Sequence, residues 1–216
     1  MTRFIAQWIL KILPWAKQPK YKDRVLFIWI VEIFLFLVGF PLLFRWLGLR
    51  MEHLILSSSF VIHLFQKMGQ NVHAILAATP TWNIVGGLSL GIGLVLWIWA
   101  TYCQWTFGKG TPVLATPTAR LVVKGPYRFT RNPIQLGTML LYAGLGLLQD
   151  SYCIALVSLI MYGSAGSWYN LKLEEKELQA RFGEEYSRYR DQVPFLIPRL
   201  VNGRFRGSFF RKQRAS

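Results

Sequence analysis

Acidic residues and cysteine are scarce in this sequence, and the scarcity of cysteine excludes a disulfide-rich protein. The 216 residues include 10 Asp and Glu against 25 Lys and Arg, a formal net charge of +15. The two cysteines, Cys103 and Cys153, lie inside apolar runs and supply neither a disulfide framework nor a metal-ligand spacing. His53, His63 and His73 recur every ten residues, which places them on different faces of a helix, so we expect no metal site.

Apolar residues are abundant instead. Hydrophobic side chains make up 53% of the chain, in long runs separated by short basic segments. That alternation is typical of multi-span membrane proteins. A strong positive charge can also indicate nucleic-acid binding, but no basic stretch here belongs to a recognisable reading module. The composition therefore predicts an all-α, integral membrane helical bundle whose partner is the lipid bilayer, with no nucleic-acid partner.

Four apolar segments are long enough to cross a bilayer, which takes about 20 residues of helix. They lie at about 25–44, 82–106, 133–149 and 151–171. The turn Gln149-Asp150-Ser151 between the last two predicts an antiparallel hairpin. The stretch 53–78 contains all three histidines and several other polar residues, and it predicts a re-entrant or interfacial segment.

The distribution of Lys and Arg predicts the orientation. With four spans, 22 of the 25 fall on one side, within 1–24, 106–132 and 171–216, and the others are Arg45, Arg50 and Lys67. The positive-inside rule then places both termini of a multi-pass protein in the cytoplasm. We expect residues 1–24 to form an interfacial segment and the basic tail 199–216 to lie on anionic head groups.

A helical period continues beyond the last span. Apolar residues recur at steps of three to five until Pro194, at Leu173, Leu178, Phe182, Tyr186, Tyr189 and Val193. This pattern predicts a cytoplasmic C-terminal helix that buries one face. The partner available on the same side is the loop containing GPYRFTRNP, residues 125–133.

The loop and the helix carry opposite charges. The loop offers Arg120, Lys124, Arg128, Arg131 and Asn132, and the helix offers Glu174, Glu175 and Glu177. Such groups could bracket a ligand that carries both a carboxylate and an ammonium or sulfonium. The pattern G-x-Y-x-x-x-R-N-P-x-x-x-G, followed by E-E-x-x-L-x-x-x-F-G-x-x-Y-x-x-Y, resembles the isoprenylcysteine carboxyl methyltransferase family and its bacterial relatives. It is more distantly similar to phospholipid N-methyltransferases and membrane sterol reductases.

The resemblance covers residues 104–198, two spans and the cytoplasmic helix, whereas the N-terminal spans in 25–103 carry no assigned motif. It implies S-adenosylmethionine as cofactor and methyl transfer to a lipid or other apolar acceptor in the membrane. The cofactor-contacting positions that it implies are Arg120, Leu121, Val122, Gly125, Tyr127, Arg131, Asn132, Pro133, Ile134, Gln135, Gly137, Glu174 and Glu175. Two alternatives stay open: an NADPH-dependent membrane reductase of the sterol type, and a non-catalytic membrane scaffold.

Three positions depart from the family pattern. Asn132 and Gln135 stand where many relatives have His and Tyr. The side chain at the first position therefore does not titrate, and the side chain at the second has no aromatic ring on which a ligand could stack. Asn170 stands where the prenylcysteine enzymes have the Arg that contacts the substrate carboxyl, which disfavours a prenylcysteine acceptor. Asn170 and Glu32, a carboxylate inside the first span, are candidates for acceptor binding. No residue is assigned as a general base.

Overall fold

A computed structural model describes residues 27, 30–67, 80–108 and 118–198. The predicted interfacial segment 1–24 and basic tail 199–216 lie outside this part of the chain. The helices are α1 (Ile30–Ser57, with a π-helical segment at Leu35–Gly39), α2 (Ser59–Lys67), α3 (Pro80–Gly108), α4 (Pro133–Leu147), α5 (Tyr152–Tyr169) and α6 (Glu175–Gln192). A 3-10 turn occupies Gly125–Arg128, and a second π-helical segment, Asn170–Glu174, joins α5 to α6. Within the described ranges there is no strand, which confirms the all-α prediction.

The described residues divide into two compact units. One contains residues 96–108, 118–136 and 168–198, and the other contains 27–67, 80–95 and 137–167. Each unit therefore combines segments that are distant in sequence. The residues of the candidate site lie mostly in the first unit.

The predicted end of the first span is wrong. We expected it at residue 44, but the helix continues to Ser57, where the extended backbone of Ser58 (ψ 105°) ends it. Residues 45–57 contain neither an internal proline nor a Gly-rich break, and the guanidinium of Arg50 lies 5.7 Å from the centre of the Trp46 ring. The start of the predicted re-entrant segment, 53–57, is thus part of α1. α2 follows it directly, and 68–79 lie outside the described residues.

Among the helices that the structure describes, two are long and apolar enough to cross a membrane by length and composition, Ile30–Ser57 and Thr81–Gly108. α4 is apolar but has 15 residues, about 22 Å of helix, against a hydrocarbon core of about 30 Å. Side chains such as Phe60, Trp105 and Val95 are exposed on the described helices. These features favour a membrane protein; the four-span count and the orientation stay predictions.

The second unit is held by an aromatic cluster between α1, α4 and α5. Tyr142, buried to 2% exposure, stacks edge-on against Phe44 and Tyr162. Its hydroxyl group donates a hydrogen bond to the Phe36 carbonyl oxygen at 2.6 Å. Phe36 lies in the π-helical segment of α1, where the wider turn leaves backbone groups available to side chains.

The predicted hairpin between α4 and α5 is confirmed. Asp150 has a φ of +54°, and the amide of Ser151 donates to the Gly146 carbonyl oxygen. Side-chain hydrogen bonds tie this turn to α1 and α3 through the pairs Arg45–Gln149, Asn83–Asp150 and Glu52–Ser151.

Candidate functional site

An extended segment of the loop lies between α3 and α6. Val122 packs into a cluster with Ala100 and Cys103 of α3, whereas Val123 packs into a cluster with Tyr186 and Tyr189 of α6. Successive side chains of an extended backbone point in opposite directions, so two adjacent valines bind the loop to two helices. The predicted burial of the apolar face of α6 against this loop is confirmed.

The 3-10 turn brings Tyr127 into the same interior. Gly125 begins the turn with a φ of +61°, and a Cβ atom there would lie 2.5 Å from the Cys103 sulfur. Only glycine satisfies both conditions without strain. Tyr127 is 6% exposed and packs with Ala100 and Cys103, and its carbonyl oxygen accepts a hydrogen bond from the Tyr189 hydroxyl at 2.8 Å.

The end of the loop is tied to the segment that follows α6. The amide of Arg131 donates to the Pro194 carbonyl oxygen at 2.9 Å. The Thr130 hydroxyl and the Asn132 side-chain amide both donate to the Phe195 carbonyl oxygen, at 3.1 and 2.9 Å. Thr130 is 1% exposed. Pro194 therefore ends α6 and also supplies a backbone acceptor that fixes the entrance to α4.

A carboxamide cluster joins α4 to the π-helical segment. The side-chain nitrogen of Asn170 donates to the Asn132 side-chain oxygen at 2.9 Å and to the Gln135 side-chain oxygen at 2.7 Å. Asn170 and Gln135 are both buried, at 8% and 5% exposure. The three positions at which the sequence departs from the family pattern are thus in direct contact, and they form one neutral hydrogen-bonded group.

Arg131 connects the loop to α6 through its side chain. Its guanidinium forms an ion pair with Glu175, at 2.7 Å between Nη1 and Oε1. It also lies 5.8 Å from the centre of the Phe195 ring and interacts with the Tyr186 hydroxyl. The Nε atom is buried and has no hydrogen-bond partner within the described ranges.

Three carboxylates lie at the start of α6, and they differ in their partners. Glu175 pairs with Arg131, and Glu177 pairs with Arg181 at 3.0 Å. Glu174 has no ion pair with any residue that the structure describes. Burial, reinforced by the charges of Glu177 and Glu175, raises the pKa of Glu174 to about 7. This carboxyl group therefore changes its charge near neutral pH.

α6 is not one uninterrupted helix, which corrects the prediction. Gly183 has φ +51° and ψ −124°, and the helical path bends there. The side chain of Gln179 donates to the Gly183 carbonyl oxygen at 3.0 Å and accepts a hydrogen bond from the Ser187 hydroxyl at 3.1 Å. These bonds hold the bend. The apolar period of the sequence continues across it, because Tyr186 and Tyr189 beyond the bend still pack with Leu178 and Phe182 before it.

Most of the predicted cofactor positions lie in the first unit. They are Arg120, Leu121, Val122, Gly125, Tyr127, Arg131, Asn132, Pro133, Ile134, Gln135, Glu174 and Glu175. Arg120 is exposed, and Leu121 packs with the α6 cluster. Gly137 and Glu32 belong to the other unit.

Several residues of this region were missed. The sequence predicts no role for Thr130 or for the carbonyl oxygens of Pro194 and Phe195, because they belong to no motif. The available signal for this region was a proline directly after a predicted helix. Thr101 and Gln104 of α3 have buried side-chain oxygens without hydrogen-bond partners among the described residues. The available signal was two polar side chains three positions apart in the mainly apolar second half of α3.

The charges of this region could bind a ligand that carries a carboxylate at one end and a cationic group at the other. A buried guanidinium Nε without a partner can donate to a carboxylate, and a desolvated carboxyl without an ion pair can accept an ammonium group or ribose hydroxyls. Arg131 would hold the first, and Glu174 the second.

The family comparison agrees with the resemblance inferred from the motifs. The family model described as phospholipid methyltransferase matches residues 81–185, a little under half of the chain. No significant match was found among curated proteins or solved structures. The matched segment runs from the start of α3 into α6 and includes the loop, the 3-10 turn and the three carboxylates. Residues 81–185 are therefore similar to the phospholipid methyltransferase family.

Proposed function

We propose that the protein transfers a methyl group from S-adenosylmethionine to a lipid or other apolar acceptor within the membrane. The observation that carries the proposal is the charge arrangement at the start of α6. Glu174, without an ion pair within the described residues, is adjacent in sequence to the Arg131–Glu175 pair. It lies inside the segment that matches the methyltransferase family model.

The cofactor, when bound, supplies an activated methyl group on a sulfonium, and the chain supplies binding and orientation. Arg131 can bind the carboxylate of the cofactor, because its Nε is not used elsewhere among the described residues. Glu174 is suited to the ammonium or ribose end. Pro133 begins α4, and the positive end of a helix dipole favours an anionic group nearby. We expect catalysis mainly from proximity and orientation in a site shielded from water.

The charge balance also bears on the reductase alternative. A nicotinamide dinucleotide phosphate carries several negative charges and needs cations to bind them. At the start of α6 three carboxylates meet two guanidinium groups, and each guanidinium is already paired with a carboxylate. Glu174, a carboxyl group without an ion pair among the described residues, suits a cationic methyl donor better than a polyanionic dinucleotide. The scaffold alternative predicts no binding of either cofactor.

Calorimetry on the purified protein in detergent separates these functions. We expect S-adenosylmethionine to bind with micromolar affinity, about −8 kcal/mol, and NADPH to give no heat. Labelled methyl donor should then transfer its methyl group to an extractable lipid in mixed micelles that contain a total lipid extract. Binding of NADPH alone would favour the reductase, and the absence of binding by either cofactor would favour the scaffold.

A further inference from the structure

Asn170 connects the two segments that contain the proposed cofactor contacts. Its side-chain nitrogen donates to the Asn132 side-chain oxygen at 2.9 Å and to the Gln135 side-chain oxygen at 2.7 Å. An amide nitrogen has two N–H groups, so both are used within the protein. Asn132 directly follows Arg131 in the loop, and Asn170 begins the π-helical segment that ends at Glu174. The side chain of Asn170 therefore links these segments, and its N–H groups are not available to a ligand.

The orientation of the three side-chain amides follows from one backbone carbonyl group. The Phe195 carbonyl oxygen can only accept, so the Asn132 side chain must turn its nitrogen towards it, at 2.9 Å. The Asn132 oxygen then faces Asn170, which must present its nitrogen there, and the same nitrogen requires the oxygen of Gln135. Reversing any one amide would bring two oxygens or two N–H groups together. The group therefore has a single hydrogen-bonding pattern, and Asn170 lies at its centre.

The backbone of Asn170 belongs to the same junction. Its carbonyl oxygen accepts a hydrogen bond from the amide of Glu175 across the π-helical turn. Glu175 is also the partner of Arg131 in the 2.7 Å ion pair. π-Helical turns inside helices are frequent at functional sites. Two connections, one neutral and one ionic, thus run from this turn to the entrance of α4, and Glu174 lies between them in sequence.

The two connections respond differently to a ligand on Arg131. A ligand carboxylate there would share the guanidinium with Glu175, which changes the strength of the ion pair. The hydrogen bonds of Asn170 involve no formal charge and no atom of Arg131. Because Asn170 is buried, water does not compete for these bonds. They hold the spacing between Arg131 and Glu174 whether or not a ligand occupies Arg131.

We propose that Asn170 is a positioning residue for the cofactor site: its two side-chain hydrogen bonds fix the distance between Arg131 and Glu174, so that one ligand contacts both. The inference rests on the proposed function, because the cofactor is the ligand that has to reach both groups. It gives Asn170 a different role from the acceptor binding that the sequence suggests. Loss of Asn170 should therefore weaken a ligand that contacts both groups more than a ligand that contacts Glu174 alone.

S-Adenosylmethionine and decarboxylated S-adenosylmethionine test the proposal, because the second compound keeps the sulfonium and ammonium groups but has no carboxylate for Arg131. Calorimetry on the purified full-length protein in detergent gives both dissociation constants. The parent should bind S-adenosylmethionine about tenfold more tightly than the decarboxylated compound. In Asn170→Ala this ratio should fall to about threefold or less, through weaker binding of S-adenosylmethionine. An unfolded fraction lowers both apparent affinities equally, so the ratio does not depend on the amount of folded variant.

Asn170→Asp is the second variant, for use if Asn170→Ala does not fold. It keeps the shape of the side chain but cannot donate both hydrogen bonds, so it should also lower the ratio. Leu171→Ala, at the exposed neighbouring position of the same π-helical segment, is the matched control and should keep the ratio of the parent. A parent-like ratio in the Asn170 variants, even with both affinities reduced, would overturn the proposal. A parent that binds both compounds equally would overturn it as well.

Thermal unfolding without ligand keeps this inference separate from the proposed function. Two connections between the same segments support each other, so Glu175→Gln should lower the melting temperature less in an Asn170 variant than in the parent. If the parent does not bind S-adenosylmethionine but this non-additivity is found, the proposed function fails and the link through Asn170 stands. Additive losses in that case would overturn both. If S-adenosylmethionine binds and the ratio in the Asn170 variants is that of the parent, only the positioning role fails.

Discussion

The Arg131 guanidinium and the Glu175 carboxylate form an ion pair of 2.7 Å that ties the entrance of α4 to the start of α6. The two side chains are 12% and 16% exposed. At that degree of burial, removing one partner leaves the other charge poorly solvated, so the pair affects both the local structure and any ligand that uses Arg131.

We expect Arg131→Lys to weaken S-adenosylmethionine binding tenfold to a hundredfold, about 1.5–3 kcal/mol, because a single ammonium cannot contact Glu175 and a ligand carboxylate in the planar geometry of a guanidinium. Glu175→Gln should weaken binding less and lower the melting temperature. Calorimetry and thermal unfolding of both variants and of the double variant give the coupling energy. Arg188→Lys, at an exposed position of α6, is the control. Parent-like affinity in Arg131→Lys would remove Arg131 from the cofactor site.

The raised pKa of Glu174 predicts a pH dependence of stability. The folded protein holds this proton up to about pH 7, whereas the ordinary pKa of the group is 4.5. Glu174 therefore contributes most to the free energy of unfolding below pH 4.5, and this contribution declines as the pH rises to about 7. Above that pH the contribution, at most about 3 kcal/mol, is lost. We expect Glu174→Gln to reduce this decline, and Glu184→Gln, exposed on the same helix, to leave it unchanged. Thermal unfolding from about pH 5 to about pH 8 measures it; identical profiles for the parent and Glu174→Gln would contradict the assignment.

Cofactor binding should depend on pH in the opposite direction. A cationic ligand favours the ionised carboxylate, so we expect S-adenosylmethionine to bind more tightly as the pH rises from about 6 to about 8. The Glu174→Gln variant should bind more weakly and with little pH dependence. If both proteins show the same profile in calorimetry, another group is responsible.

The bend at Gly183 predicts a specific sensitivity to substitution. Gly183→Ala meets no neighbouring atom, since nothing lies within 4 Å of a Cβ placed there, but it must adopt φ +51° and ψ −124°. We expect backbone strain alone to lower the free energy of unfolding by about 1–3 kcal/mol. Ala180→Gly, exposed in the same helix, controls for helix propensity and should cost about 1 kcal/mol or less. A more stable Gly183→Ala protein would mean that α6 is straight in solution.

The charge distribution predicts that both termini are cytoplasmic. Of the 25 Lys and Arg, 22 fall on the side of the termini if the chain crosses four times. Reporter fusions before Met1 and after Leu200 should both report the cytoplasm. Reports from opposite sides would require an odd number of crossings, and the segment 53–78 would then be the first candidate for the additional one.

Local sequence patterns predicted the helical class, the extents of α3, α4 and α5 to within two residues at every end, and the pairing of α6 with the loop. Each of these follows from local information: apolar runs of fixed length, a proline after a helix, and an apolar stripe whose partner had to lie on the same side. The methyltransferase resemblance is local in the same sense, because its motifs are short spacings around Arg131 and Glu174.

The remaining features depend on contacts between segments that are distant in sequence. The end of α1 could not be read from the polar residues near position 53, because Glu52 and His53 continue the helix and the break comes only at the extended backbone of Ser58. The bend at Gly183 is not visible in the apolar period of α6, which continues across it. The contact of Asn170 with Asn132 and Gln135, and the unpaired oxygens of Thr101 and Gln104, exist only once distant segments meet. A polar side chain shows in sequence that it needs a partner, but only the folded chain determines whether the protein supplies that partner or leaves it to a ligand.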